Sequence, residues 1–301
     1  MESRPQHVPV LLDQVTEFLN VRPGGVYIDA TLGFAGHSSE IVRRLGPTGK
    51  LIAFDRDPAA MERATARLEQ VRQEIGSAMP QIELYSTEFS GATDLVAANS
   101  VDGVLADFGV SSMQLDEAHR GFSFQAEGPL DMRMNPRIGI TAEQVVNQSG
   151  EKELADLIYE FGEERRSRRI ARAIVRARPI TTTAQLARVV SAAAPAMKEK
   201  GRHSLHPATR TFQALRIRVN QELEEIKALL VSAPKLLKPG GRLVVISFHS
   251  LEDRLVKDAM RDGAKSGIWK ALTKKPITAD EEEQRRNPRS RSAKLRAAEK
   301  L

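Results

Sequence analysis

Four short apolar runs punctuate the first third of the chain: VYIDA (26–30), LIAFD (51–55), IELYS (82–86) and VDGVLADF (101–108). Each is closed by polar residues, the pattern of strands buried on both faces of a parallel sheet. Between the second and third runs, Pro58 opens a stretch in which Met61, Ala64, Leu68, Val71 and Ile75 recur at three and four residues. That spacing, with proline suited to a first turn, predicts a helix. The βαβα order predicts an α/β protein with a doubly wound, mostly parallel sheet.

After residue 112 the rhythm changes. From about 115 to 211 no stretch reads as a strand. Residues 151–177 are helical by spacing, TTAQLARVVSAAA (182–194) reads as a helix with a threonine cap, and residues 211–237 read as one long amphipathic helix. A strand then follows at GGRLVVISF (240–248). The expected organisation is a sheet domain made of residues 1–114 and 212–301, interrupted by an all-helical insertion at 115–211. There is no internal repeat. The charge-biased tail, 281–301, leaves an ordered and a disordered end both open.

Composition narrows the classes. With 41% hydrophobic and 28% charged residues, the 301-residue chain is ordinary for a soluble protein. No apolar run approaches the roughly 18–20 residues of a membrane span. The N-terminus lacks a signal-peptide layout, so a cytoplasmic location is expected. The absence of cysteine excludes disulfides, thiolate metal sites, iron–sulfur clusters and cysteine nucleophiles. The net charge of +6 is unevenly spread: residues 151–220 hold 15 Lys and Arg against 7 Asp and Glu, a surplus of +8 that leaves −2 elsewhere. An anionic partner therefore belongs to the helical insertion.

The turn after the first strand, YIDATLGFAGH (27–37), carries the first candidate chemistry. A glycine-rich strand-to-helix turn brings backbone N–H groups to a ligand or serves only as a tight turn. Here Asp29 precedes Gly33, where nicotinamide folds have an apolar strand end and a pyrophosphate cradle. A carboxylate suits a cationic or zwitterionic ligand better, and S-adenosylmethionine (SAM) carries a sulfonium and an ammonium. The second strand ends in Asp55, 26 residues after Asp29, where an acid binds ribose hydroxyls. Asp57 is read as the cap of the helix that starts at Pro58. The fourth strand ends in Asp107, placed to act on substrate or to cap a turn.

DATLGFAGH, FDRDP, ADFGVSSMQLD, GPLDMRMN, HPATRTFQALRIRVNQEL, GGRLVVISFHSLEDR and NPRSRSAKLRAAE together resemble the bacterial ribosomal RNA small-subunit methyltransferase H family (formerly MraW), from about His7 to the end. The resemblance implies a Rossmann-like SAM-dependent methyltransferase fold. It also implies methylation of the exocyclic N4 amine of a cytidine in the decoding region of 16S rRNA, within the small ribosomal subunit. It places SAM contacts on Ala35, Gly36, His37, Asp55, Phe89, Asp107 and Gln114. Three departures are visible: Ala35 for glycine, Phe108 for leucine and Met113 for proline. The first costs little if φ stays negative. Read without the resemblance, His37 is equally a first-turn helix residue and Phe89 equally a core ring.

The missing cysteine disfavours carbon-5 methylation of cytosine and radical SAM chemistry. Direct transfer to nitrogen or oxygen remains. A cytosine amine has its lone pair delocalised, and Asp107 at the strand end is the group to accept its hydrogen bonds. Related amino-methyltransferases carry Asp-Pro-Pro-aromatic there, where this chain has Asp-Phe-Gly-Val. His249 either orients the base or starts a helix. His203 and His206 stand as a pair without a third ligand, and no metal is expected. Arg165, Arg169, Arg172 and Arg176 form a stripe opposite Ile170, Ile174 and Ala177, either a solvated face or an RNA-backbone surface. Two other classes compete: a nicotinamide-dependent dehydrogenase, and a nucleic-acid binding module with a degenerate nucleoside fold. A methyltransferase acting on another RNA amine is a nearer alternative. Oligomeric state, monomer or homodimer, is left open.

Overall fold

In the computed structural model of the chain, residues 9–195 and 206–301 are described. The chain divides into two compact units, Met1–Gly109 with Leu223–Leu301, and Val110–Glu222. The first opens with α1 (Leu12–Leu19), β1 (Val26–Asp29), α2 (Gly36–Leu45), β2 (Lys50–Phe54), α3 (Pro58–Ile75), β3 (Gln81–Tyr85), α4 (Ala92–Leu95) and β4 (Val101–Asp107). The second holds α5 (Ser112–Asp116), α6 (Ala142–Gln148), α7 (Glu151–Gly162), α8 (Ser167–Ala177), α9 (Thr183–Ala193) and α10 (Thr209–Asn220). The chain then runs through α11 (Glu222–Leu236), β5 (Leu237–Ser247), α12 (Ser250–Lys265), β6 (Trp269–Ala271), α13 (Glu281–Arg286) and β7 (Lys294–Lys300).

The strands form one seven-stranded sheet in the order β3-β2-β1-β4-β5-β7-β6. Neighbours are parallel from β3 through β5, and β7 runs antiparallel between β5 and β6. The doubly wound sheet expected from the apolar runs is present. Strand order reverses between β1 and β4, so the crevice beyond their carboxyl ends is where a sheet of this kind takes ligand. A nicotinamide-binding sheet has the order 3-2-1-4-5-6, and the reversed β7 departs from it. The core packs Tyr27, Leu51, Ala53, Leu105, Val244 and Ile246 of the strands with Ile41, Val42 and Leu45 of α2 and Ala64, Leu68 and Val71 of α3. Asp57 caps α3 as expected, accepting from the Ala59 N–H at 3.0 Å ahead of Pro58.

The helical unit has its own core, in which Leu130, Met132, Val145, Leu154, Ile158, Ile170, Ile174, Leu186, Phe212 and Leu215 meet. Thr182 caps α9 through a capping box with Gln185. Among the described residues no helix is long and apolar enough to cross a membrane.

Several boundaries differ from the sequence pattern. Residues 151–177 break at Glu163, which takes a left-handed φ of 49°. A Cβ on Gly162 would lie 2.6 Å from the Arg210 carbonyl oxygen, so α10 crosses where only glycine fits. The long helix at 211–237 is likewise two helices, divided at Gln221 with φ 50°. The α10 side chains Phe212, Leu215 and Val219 bury in the helical core. Asn220 accepts from the Met134 N–H at 2.7 Å and donates to the Met132 carbonyl at 2.8 Å. These contacts keep α10 in the helical unit, so the expected boundaries at 114/115 and 211/212 fall at 109/110 and 222/223. β5 starts at Leu237, ahead of the expected 240. The tail is ordered. Its β7 pairs with β5, buries Leu295, Ala297 and Ala298, and carries Arg296 to Asp253 at 2.7 Å. Ala177 is exposed, because α8 ends there before its small side chain reaches the core. His206 stacks on Phe124 with centroids 4.4 Å apart, and His203 lies outside the described residues.

Candidate active site

The β1 turn is held by its own carboxylates. Asp29 is almost wholly buried. It accepts from the Thr31 N–H at 3.1 Å and from the Ser38 hydroxyl at 2.6 Å. Burial pushes its carboxyl above the usual range, against those two hydrogen bonds and His37. Asp29 therefore holds the turn from beneath through these two hydrogen bonds. Gly33 has φ 51° and donates its N–H to Asp55 at 2.8 Å. Ala35 also lies in the left-handed region, at φ 56°, as the cap of α2. The condition of a negative φ is not met, and an alanine here is strained. Gly36 starts α2 with ordinary φ, and a Cβ there would meet Pro9 at 2.6 Å. Its lack of side chain is required by the segment that crosses it.

Asp55, just past β2, spends one oxygen on Gly33 and the other on the Asp57 N–H at 2.8 Å. Burial raises its pKa to about 6, opposed by those two backbone hydrogen bonds. Each oxygen keeps a lone pair for a hydroxyl donor. Phe89 is buried in the turn after β3.

Asp107 ends β4. Its backbone N–H donates to the Thr31 hydroxyl oxygen at 2.6 Å, which joins the ends of β4 and the β1 turn. One carboxylate oxygen, Oδ2, lies 3.5 Å from His37 Nε2. The other, Oδ1, is buried without a hydrogen-bond partner, and so are both ring nitrogens of His37. Buried polar atoms are normally satisfied, so three orphans at one strand end make this the candidate site for a ligand.

His249 and Gln114 both stand at helix starts. His249 caps α12, with Nδ1 3.5 Å from the Glu252 N–H and Nε2 3.2 Å from Glu252 Oε1. Nδ1 makes the helix cap, while Nε2 is buried without a hydrogen-bond partner. Gln114 belongs to the helical unit, where its carbonyl accepts from the Ser111 N–H at 2.9 Å in the capping box of α5. Sequence reasoning gave no role to Thr31 or Ser38. Their signal was two hydroxyls at fixed spacing around a carboxylate in a tight turn, which no periodicity reports.

In the helical unit, Arg165, just before α8, and Arg169, Arg172 and Arg176 on it are all exposed, as is Arg168. Arg172 approaches Glu151 at 3.4 Å. Arg165, Arg168, Arg169 and Arg176 have no ion-pair partner among the described residues. Ile170, Ala171 and Ile174 fill the buried face.

Known proteins resemble the chain along its whole length. The family model described as the MraW methylase family matches residues 4–301. A protein of Acidobacterium capsulatum is 73% identical over 298 residues, 99% of each chain, and one of Koribacter versatilis is 64% identical over 97% of this chain and 93% of its own. One of Cyanothece is 48% identical over 100% of this chain and 97% of its own. All three carry the name ribosomal RNA small subunit methyltransferase H. The chain belongs to the MraW methylase family.

Proposed function

We propose that this chain is a SAM-dependent methyltransferase of small-subunit ribosomal RNA, and that its target is the exocyclic N4 amine of a cytidine in 16S rRNA. The observation that carries the site is the trio of orphaned atoms, Asp107 Oδ1 and the two His37 nitrogens, at the carboxyl end of β4. The relatives' shared name supports the rRNA substrate. The absence of cysteine disfavours ring-carbon chemistry and supports an amine acceptor.

The donor set fits SAM. Asp55 takes the ribose hydroxyls, Phe89 offers a ring face to adenine, and Gly33 with Ala35, Gly36 and His37 lines the turn. When bound, SAM supplies an electrophilic methyl on a sulfonium. Asp107 accepts hydrogen bonds from the cytosine amine, drawing its nitrogen towards sp³ and holding its lone pair on line. The Thr31 tie fixes the Asp107 backbone, and such alignment accounts for several kcal/mol of barrier lowering in enzymes generally. The arginine face of α8 holds RNA phosphates, and an unpaired or flipped cytidine is the form a pocket of this kind reads. We infer that this work is done in the cytoplasm, on RNA of the small subunit.

Mass spectrometry of 16S rRNA nucleosides from cells with and without this chain tests the reading. N4-methylated cytidine at one site should vanish with the gene and return with the protein. An unchanged nucleoside profile would refute it. A 5-fluorocytidine substrate should be methylated without a covalent protein–RNA adduct, and a denaturation-resistant adduct would refute the direct transfer.

A further inference from the structure

A second buried acceptor lies at the neighbouring strand ends. Glu225, in the first turns of α11, has Oε2 shielded from solvent and without a hydrogen-bond partner. It faces Ser90, whose backbone N–H and hydroxyl point to its carboxyl, and Arg56 and Glu88, which pair with each other at 3.4 Å. Arg56 follows Asp55 directly, and Ser90 follows Phe89 directly. The groups around Glu225 are therefore each one residue from the ribose acceptor and from the proposed adenine wall. Burial pushes the Glu225 carboxyl up, Glu88 adds to the rise, and Arg56 and Ser90 oppose it. The function argued above uses none of this.

A shielded carboxylate oxygen with no donor is costly, and the cost is removed when a ligand brings one. With ribose on Asp55 and the ring against Phe89, the groups left at the edge of the base are its ring nitrogens and its 6-substituent. In adenine the 6-substituent is an amine, a donor. In a 6-oxopurine it is an acceptor, which a carboxylate repels. We propose that Glu225 is a specificity-determining residue that accepts a hydrogen bond from the 6-amino group of the cofactor's adenine. The proposal rests on SAM being the cofactor. Rejection of an analogue whose polar edge mismatches a buried partner is the strong form of discrimination available to a binding site.

The test is calorimetric binding of S-adenosylhomocysteine and of its deaminated 6-oxo analogue to the full chain. The wild type should prefer the adenine compound by about tenfold or more. In Glu225→Gln the preference should shrink to about threefold or less, because the amide offers an N–H to the 6-oxo group. Ser90→Ala loosens the turn without touching the amine, and should weaken both compounds equally. If Glu225→Gln fails to fold, Glu225→Asp, which withdraws the carboxylate by one methylene, carries the same expectation. A preference kept in the folded variant, or equal binding of both compounds by the wild type, would overturn the assignment. A wild type that binds neither compound would instead overturn the cofactor reading on which it stands.

Discussion

Asp29 and Asp55 between them accept four hydrogen bonds, from Thr31 and Gly33 of the β1 turn, Ser38 of α2 and the Asp57 backbone. Arg165, just before α8, and Arg168, Arg169 and Arg176 on it make no ion pair among the described residues. One region fixes its charges before any ligand arrives, and the other leaves them on long, solvated side chains. The contrast follows the proposed ligands. A small nucleoside cofactor demands donors and acceptors at set positions, and preorganisation is what makes such groups effective. An RNA backbone offers repeating charge that mobile cations can follow, and its contribution is read in the salt dependence. Losses in the sheet unit should accordingly be large and local, while losses in the helical unit should be graded.

The largest expected effect is at Asp107. Asp107→Ala should cut methylation at saturating SAM by about 10²–10³, the scale for one preorganised polar contact. Saturation separates this loss from any weakening of cofactor binding. Because the Thr31 tie is to the backbone N–H of Asp107, the substitution leaves that hydrogen bond in place. Near-normal single-turnover rates would place the amine acceptor elsewhere and dissolve the contrast at its strongest point.

Asp55 gives the sheet unit a pH signature. Its pKa is raised to about 6, so between about pH 4 and 6 the folded protein without cofactor binds a proton that the unfolded chain releases. The contribution to stability of this group falls as pH rises through that window. Ribose hydroxyls donate to the carboxylate, so binding favours the deprotonated form. SAM affinity should therefore be flat above about pH 7 and weaken by up to about tenfold per unit below pH 6. Asp55→Asn should bind more weakly at pH 7.5 and lose the dependence. A wild-type affinity flat from pH 7 to 5 would remove Asp55 from the ribose site.

For the arginines the expectation is a slope. Replacing Arg168, Arg169 and Arg172 with Ala should leave SAM affinity unchanged and weaken RNA binding. Each lost phosphate contact should lower the slope of log K against log salt by about 0.7–0.9. Titrations at several salt concentrations check this. An unaltered slope would mean a solvated face and leave the helical unit without its proposed partner.

These regions also differ in how much the sequence disclosed. The strands of the sheet were readable because burial on both faces writes unbroken apolar runs, and β1 to β4 lie within a residue of where 26–30, 51–55, 82–86 and 101–108 put them. The breaks at Glu163 and Gln221 were not readable. Apolar spacing continues through both, and what interrupts each helix is a tertiary contact: α10 against Gly162, and Asn220 against the Met132–Met134 backbone. The same holds in the site. Asp55 and Asp107 announce themselves as acids closing apolar strands, and Asp57 as an acid before a proline. Which carboxylate remains open to a ligand depends on where Thr31, Ser38 and the glycine N–H groups point, and that is a property of the folded turn. His37 and Asp107 are 70 residues apart in sequence, and only the β1–β4 pairing brings them to 3.5 Å. Orphaned atoms such as Glu225 Oε2 leave no trace in periodicity.

The smallest expected effect compares left-handed residues in the two regions. Gln221 (φ 50°) is exposed and ends α10, whereas Ala35 (φ 56°) is fully buried and starts α2. An L-residue in this conformation carries about 1–2 kcal/mol of strain, which glycine relieves. Glycine returns roughly 0.4–1 kcal/mol of that through the entropy of the unfolded chain. For Gln221→Gly little else changes, so a net gain of about 0.5–1 kcal/mol is expected, consistent with the preference for glycine just past a helix end. Ala35→Gly also gives up a buried methyl, about 0.8 kcal/mol, so the terms nearly cancel and stability should stay within about 1 kcal/mol of the parent. Calorimetric unfolding of the two variants measures the difference. If Ala35→Gly raised stability more than Gln221→Gly, the Ala35 methyl would contribute nothing to the packing beneath the turn. The tight hold on the site would then belong to the Asp29 and Asp55 hydrogen bonds alone.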